Sequence, residues 1–105
     1  MSLPLHNLFE TVDVSKGVPA VLALLKSLAN IDRLAILCSL IETERSVGDL
    51  EGTLNISQPT LSQQLARLRS DELVSTRRDG KVIYYCIASK NAEQVIEVLH
   101  GLYCS

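Results

Sequence analysis

Apolar residues fall into two rhythms along the chain, one helical and one strand-like. From Pro19 the run PAVLALLKSLA carries apolar side chains at 21, 22, 24, 25 and 28, the spacing of a helix with a wide apolar arc. Asn30 interrupts it. DRLAILCSLIE then sets Leu34, Leu37, Cys38 and Ile41 at i, i+3, i+4 and i+7, which predicts a second helix with Cys38 on its buried face. A short third helix follows, with Ser46 as N-cap and Val47, Leu50 and Leu54 inward. In NISQPTLSQQLARLRSDEL, Ser57 caps, Pro59 sits in the first turn where its missing N–H costs nothing, and Leu61, Leu65 and Leu68 mark one face. The period then shortens. In LVSTRRDGKVIYYCIA two strand-like runs flank Asp79-Gly80, a dipeptide suited to a two-residue type I′ hairpin turn; that register sets Arg78 opposite Lys81 and Arg77 opposite Val82. NAEQVIEVLHGLYC closes the chain as a helix whose Val95, Ile96, Val98, Leu99, Leu102 and Tyr103 span an arc of about 160° at about 100° per residue. Residues 1–15 read as an N-terminal arm with a short helix at Leu8 to Val12, and no internal repeat is present.

The predicted order is helix, helix, helix, helix, hairpin, helix: a mainly α fold with a small β-hairpin, in one domain spanning residues 1–105. A chain of this length buries a single modest core. The first and last helices are more apolar than such a core can cover, and a homodimer paired through these two helices hides the surplus. Packing of both helices within one monomer is the alternative.

The third and fourth helices, joined by a tight connection, form a helix-turn-helix candidate. With the leucines inward, the fourth helix presents Gln58, Thr60, Ser62, Gln63, Gln64 and Arg67, with no acidic group until Asp71. An ordinary solvated face mixes Glu and Lys for helix propensity and i, i+4 pairing. Amides and hydroxyls instead donate to and accept from base edges, Gln pairing with adenine and Arg with guanine. A net charge of −2 argues against a nucleic-acid partner only until its distribution is considered. Residues 57–81 hold five basic side chains (Arg67, Arg69, Arg77, Arg78, Lys81) and three acidic ones, a local +2, and the other eighty residues hold five and nine, or −4. The hairpin places Arg77, Arg78 and Lys81 together, and like charges facing each other across a pair call for an anion between them. A phosphate backbone supplies it, so the hairpin reads as a basic wing along double-stranded DNA. A solvated hairpin tip is the plainer reading of the same residues.

At 47% apolar and 21% charged the composition is that of a globular protein. No signal peptide or membrane span is recognisable, which places the chain in the cytoplasm. In that reducing compartment three cysteines are not a disulfide framework. No phosphate loop, carboxylate pair or Cys–His pair at informative spacing is present, so neither an enzyme nor a cofactor is expected.

LKSLANIDRLAILCSL, SVGDLEGTLNISQPTLSQQLARLRSDELVSTRRDGKVIYY and the final LYC resemble the ArsR/SmtB family of dimeric winged-helix bacterial repressors over about residues 20–104. The resemblance implies a fourth helix that enters the major groove with Gln58, Thr60, Ser62, Gln63 and Arg67, and a wing that tracks the backbone with Arg77, Arg78 and Lys81. It also implies a near-palindromic operator with half-site centres about 34–36 Å apart. The family's soft-metal site needs a Cys-x-Cys where this chain has RSVGDLE. Its site on the last helix finds only His100 with Glu93 and Glu97, two ligands at best where zinc takes three or four. His6 lies in the arm. A three-thiolate metal site of Cys38, Cys86 and Cys104 stays open. Cys38 in ILC and Cys104 in LYC match the cysteine pair of the redox- and persulfide-responsive, BigR/SqrR/HlyU-like branch. Oxidation or sulfur bridging of that pair by an oxidant or reactive sulfur species is the effector response implied. Cys86 falls outside the pair and reads as a packing residue. Simple packing is also the alternative for Cys38.

Overall fold

The computed structural model describes residues 17–103. The expected arm with its short helix, His6 and Cys104 lie outside them. The elements are α1 (Gly17–Leu28), α2 (Ile31–Leu40), β1 (Arg45–Ser46), α3 (Val47–Leu54), α4 (Gln58–Ser70), β2 (Val74–Asp79), β3 (Val82–Ile87) and α5 (Lys90–Tyr103).

Each helix boundary has a local cause. Asn30, which breaks the first helix, also starts the second: its Oδ1 accepts from Arg33 N at 3.0 Å. Ser46 and Asp49 form a reciprocal capping box, each side chain bonded to the other's backbone N–H at 3.1 Å. Asn55 ends α3 in the left-handed region at φ 56°, a conformation Asn tolerates better than most side chains. Ser57 occupies the N-cap of α4 but makes no cap bond; its hydroxyl donates to Thr60 Oγ1 at 3.1 Å. Past Ser70, Leu73 N bonds Leu68 O and Glu72 N bonds Arg69 O, both at 3.0 Å, with Glu72 at φ 61°. That is a Schellman stop built on a glutamate.

The hairpin gains a third strand. The two-residue β1 pairs antiparallel with β3 (Arg45 with Tyr85, Ser46 with Tyr84), giving the order β1-β3-β2. The hairpin register corrects the expected one. Asp79 pairs with Val82, Arg78 with Ile83 and Arg77 with Tyr84, so the two central turn residues are Gly80 and Lys81. Gly80 has φ 64°, and Lys81 is not among the positive-φ residues. Positive φ at the first central position alone is the type II′ pattern, which Gly-Lys satisfies; the turn moves along the chain by one residue and every cross-strand partner moves by two. Arg78 therefore does not face Lys81, and the like-charge opposition expected across the hairpin is absent.

One cluster forms the core: Leu28 of α1, Ile36, Leu37 and Leu40 of α2, Leu50 of α3, Leu61, Leu65 and Leu68 of α4, Leu73, Val74 of β2, and Ala92 and Ile96 of α5. Each fully buried leucine contributes about 1.5–3 kcal/mol. The inward faces of α3 and α4 are those expected. By contrast α1 buries only Ser27 and Leu28, and leaves Val21, Leu22 and Leu25 more than half exposed. On α5, Val98, Leu102 and Tyr103 are 61%, 69% and 82% exposed.

Candidate nucleic-acid interface

Three leucines orient α4. Because Leu61, Leu65 and Leu68 are fully buried, Gln58, Ser62 and Gln63 face solvent, and Thr60 is half-exposed behind its bond from Ser57. The side chains of Ser62 and Gln63 make no hydrogen bond to other described residues. No carboxylate stands in the first turn, and Arg67 and Arg69 lie in the last. The positive end of the helix dipole therefore stays uncompensated at the end where Gln58 sits.

Gln64, expected on the outward face, is turned inward. Its Oε1 accepts from Arg33 Nη1 at 2.9 Å. Arg33 is a member of the site that the sequence reading misses; it is 9% exposed, and its Nε and Nη2 donate to the carbonyls of Ser27 (2.7 Å) and Lys26 (3.2 Å). One guanidinium thus satisfies the last carbonyls of α1 and grips the middle of α4. A sequence signal existed: Arg33 stands i−3, i−4 and i−7 from Ile36, Leu37 and Leu40, on the inner stripe of α2. Beside it, Ser27 Oγ donates to Asp71 Oδ2 at 2.6 Å and Arg67 Nε to the same oxygen at 2.8 Å. The Ser27 hydroxyl first, then Arg67, with the Arg33 charge adding, hold the Asp71 carboxyl below the usual carboxylate range against the opposing effect of burial.

On the wing, Arg78 and Lys81 are exposed and carry no ion pair with described residues. Arg77 is engaged. Its Nε donates to Glu44 Oε2 at 2.7 Å, its Nη2 pairs with Glu44 Oε1, and its guanidinium lies 4.7 Å from the centroid of the Tyr84 ring. The Arg77 bond lowers the Glu44 pKa and the same bond raises that of Arg77.

Cys38 is half-buried against the core on α2, a helix that α5 packs upon. Cys86, expected as a packing residue, falls on the other face of β3 from Tyr85 and Ile87, which do pack on the core. Its sulfur lies 3.1 Å from Ser75 Oγ. Among the described residues no three His, Cys, Asp or Glu side chains gather around a metal-sized space, and no helix is long and apolar enough to cross a membrane.

A helix-turn-helix seated on a leucine core, with a β-hairpin following it as a wing and a short strand before it completing the sheet, is the winged helix-turn-helix of DNA-binding regulators. Residues 30–76 match the family described as bacterial regulatory protein, arsR family. The transcriptional activator HlyU of Vibrio cholerae serotype O1 is 45% identical over 92 residues, 88% of this chain and 85% of that protein. The chain belongs to the ArsR family and is a DNA-binding transcriptional regulator. A solved structure of reduced HlyU from Vibrio cholerae superposes with a TM-score of 0.84 at 45% identity, covering 87% of this chain and 96% of that one. The transcriptional repressor BigR of Xylella fastidiosa gives 0.81 at 43% identity, covering 89% and 95%. A homodimeric winged helix-turn-helix domain from Mycobacterium bovis, a possible ArsR-family regulator, gives 0.72 at 32%, covering 81% and 79%. These relatives are regulators, not enzymes.

Proposed function

We propose that this protein is a homodimeric repressor whose operator binding is switched by oxidation, or by bridging with extra sulfur, of Cys38 and Cys104. The observation that carries the switch is the position of Cys38: it is half-buried on α2, the helix on which α5 packs, and Cys104 directly follows the last residue of α5. The exposed apolar residues of α1 and α5 supply the dimer surface, and a relative described as homodimeric supports the dimer itself. Gln58, Thr60, Ser62, Gln63 and Arg67 read base edges in the major groove, and Arg78 and Lys81 neutralise backbone phosphates.

In the reduced state the two cysteines are unbridged and the dimer holds its operator. With a hydrogen polysulfide as oxidant, two thiols form one bridge and two molecules of hydrogen sulfide leave; a sulfur retained from the oxidant lengthens the bridge. With a peroxide, a direct disulfide forms and water leaves. Either link ties α2 to the end of a dimer helix and changes the spacing of the two reading helices, which must reach successive grooves about 34–36 Å apart. That BigR is a repressor and that HlyU has been solved in a reduced form support this reading.

The test uses a duplex selected from a random pool by the reduced protein. Mobility shifts are run on protein that is reduced, polysulfide-treated or diamide-treated, with mass spectrometry of the thiols. Release on treatment, lost in both Cys38→Ser and Cys104→Ser, is expected. Unchanged responses in those variants sink the switch, and release by zinc or arsenite alone assigns the response to a metal.

A further inference from the structure

Two arginines adjacent in a strand point to opposite faces of the sheet. Arg78 shares its face with Ile83 and Tyr85, whereas Arg77 shares the other with Tyr84 and Ser75. Continuing β1 back by one residue puts Glu44 on that second face as well, since Ser46 pairs with Tyr84. Arg77 and Tyr84 are thus direct cross-strand partners, and Glu44 lies diagonal to them on the same face of the sheet. The carboxylate takes the guanidinium through Nε and Nη2, and the ring covers its plane. A phosphate would present the same two-oxygen edge to the same fork.

We propose that Glu44 stands in for a phosphate on Arg77, so that Arg77 positions the wing against the segment preceding β1 and the phosphate contacts are left to Arg78 and Lys81. This inference rests on the proposed DNA-binding role of the wing. Its physical basis is the alternative state: transferring Arg77 to a DNA phosphate strands the Glu44 carboxylate beside a polyanion and uncovers the Tyr84 ring. Together these two costs offset what a single phosphate ion pair contributes. Glu44 is then a determinant of operator affinity although it touches no nucleotide, and Arg77 is a positioning residue.

The salt dependence of operator binding separates the roles, because each phosphate neutralised adds about 0.9 to the slope of log K against log salt, or about 1.8 for a dimer with two wings. Arg78→Gln and Lys81→Gln each flatten the slope by about 1.8. The double variant Glu44→Gln/Arg77→Gln, which removes both members of the pair and strands no carboxylate, lowers affinity equally at every salt concentration and leaves the slope unchanged. Glu44→Gln, which retains an acceptor but removes the charge, releases Arg77 to the backbone: binding tightens at low salt and the slope steepens by about 1.8. A slope flattened by the Glu44→Gln/Arg77→Gln double variant as much as by Arg78→Gln, or one unmoved by Glu44→Gln, overturns the inference and leaves the wing reading intact. Slopes unmoved by Arg78→Gln and Lys81→Gln overturn the wing reading and the inference with it.

Discussion

Asp71 brings Arg67, one turn earlier in the chain, together with Ser27 and Arg33 from a distant segment. Ser27 and Arg67 bond to one of its oxygens and Arg33 contributes charge from nearby, so its ionised form is favoured in the folded protein. A folded-state pKa below the unfolded value of about 3.9 adds stability that is complete above that value and is lost as pH falls through the folded one. Glu44 and Asp49 are depressed in the same direction, by the Arg77 and Ser46 bonds respectively, and add to the same acid-side loss. In Asp71→Asn the amide oxygen still accepts from Ser27 but does not titrate. Denaturant melts at pH 7 and pH 3 are therefore expected to show wild type and variant far apart at the higher pH and converging at the lower. A gap that stays constant with pH removes Asp71 from the set. At this level the sequence was only partly legible. The outward glutamines and serine of α4 follow from the leucine stripe alone, but Gln64 sits at the stripe's edge, and the side it takes depends on a guanidinium arriving from another helix. Arg33 is favourable inside only because its guanidinium meets the Ser27 and Lys26 carbonyls at the end of α1.

Helix α4 ends without the residue that normally marks such an ending. Glu72 holds the C′ position of the Schellman motif at φ 61°, and the accompanying apolar contact falls to Leu68 and Leu73, both buried. The left-handed conformation costs a side-chain-bearing residue about 1–2 kcal/mol. Glycine removes that strain and gives back about 0.5–1 kcal/mol through its freer unfolded chain. Glu72→Gly is thus expected to stabilise by about 0.5–1 kcal/mol, raising the melting temperature by several degrees; a lower melting temperature refutes the strain. The same missing glycine is why the sequence marked where α4 begins more clearly than where it ends. Gly80 had the opposite defect, an excess of meaning. It serves equally as the second residue of an Asp-Gly I′ turn or the first of a Gly-Lys II′ turn, and only strand pairing chooses. Strand β1, two residues long, has no periodicity to detect and exists because β3 offers it an edge.

Taken whole, the molecule is polarised twice. Positive charge concentrates between residues 57 and 81 while the total stays at −2, and uncovered apolar surface concentrates on α1 and α5. Both asymmetries were visible in the linear pattern, since local charge and apolar arc width need no tertiary information. Leu102→Glu tests the second. Burying an unpaired carboxylate costs about 3–5 kcal/mol, so the dimer constant is expected to weaken by on the order of 100-fold or more. Sedimentation equilibrium should then report monomers, with operator affinity falling in step, and a dimer of undiminished stability excludes this part of α5 from the interface. Finally, β1 hands over to α3 with no spacer, Ser46 being both the last strand residue and the helix cap. That seam has no slack: one extra residue there would turn α3 by about 100° relative to the sheet, or slide β1 so that its two faces trade places. Wing and helix-turn-helix are therefore geared together through α3, and an inserted residue is expected to be tolerated before Arg45 or at the hairpin tip but not at this joint.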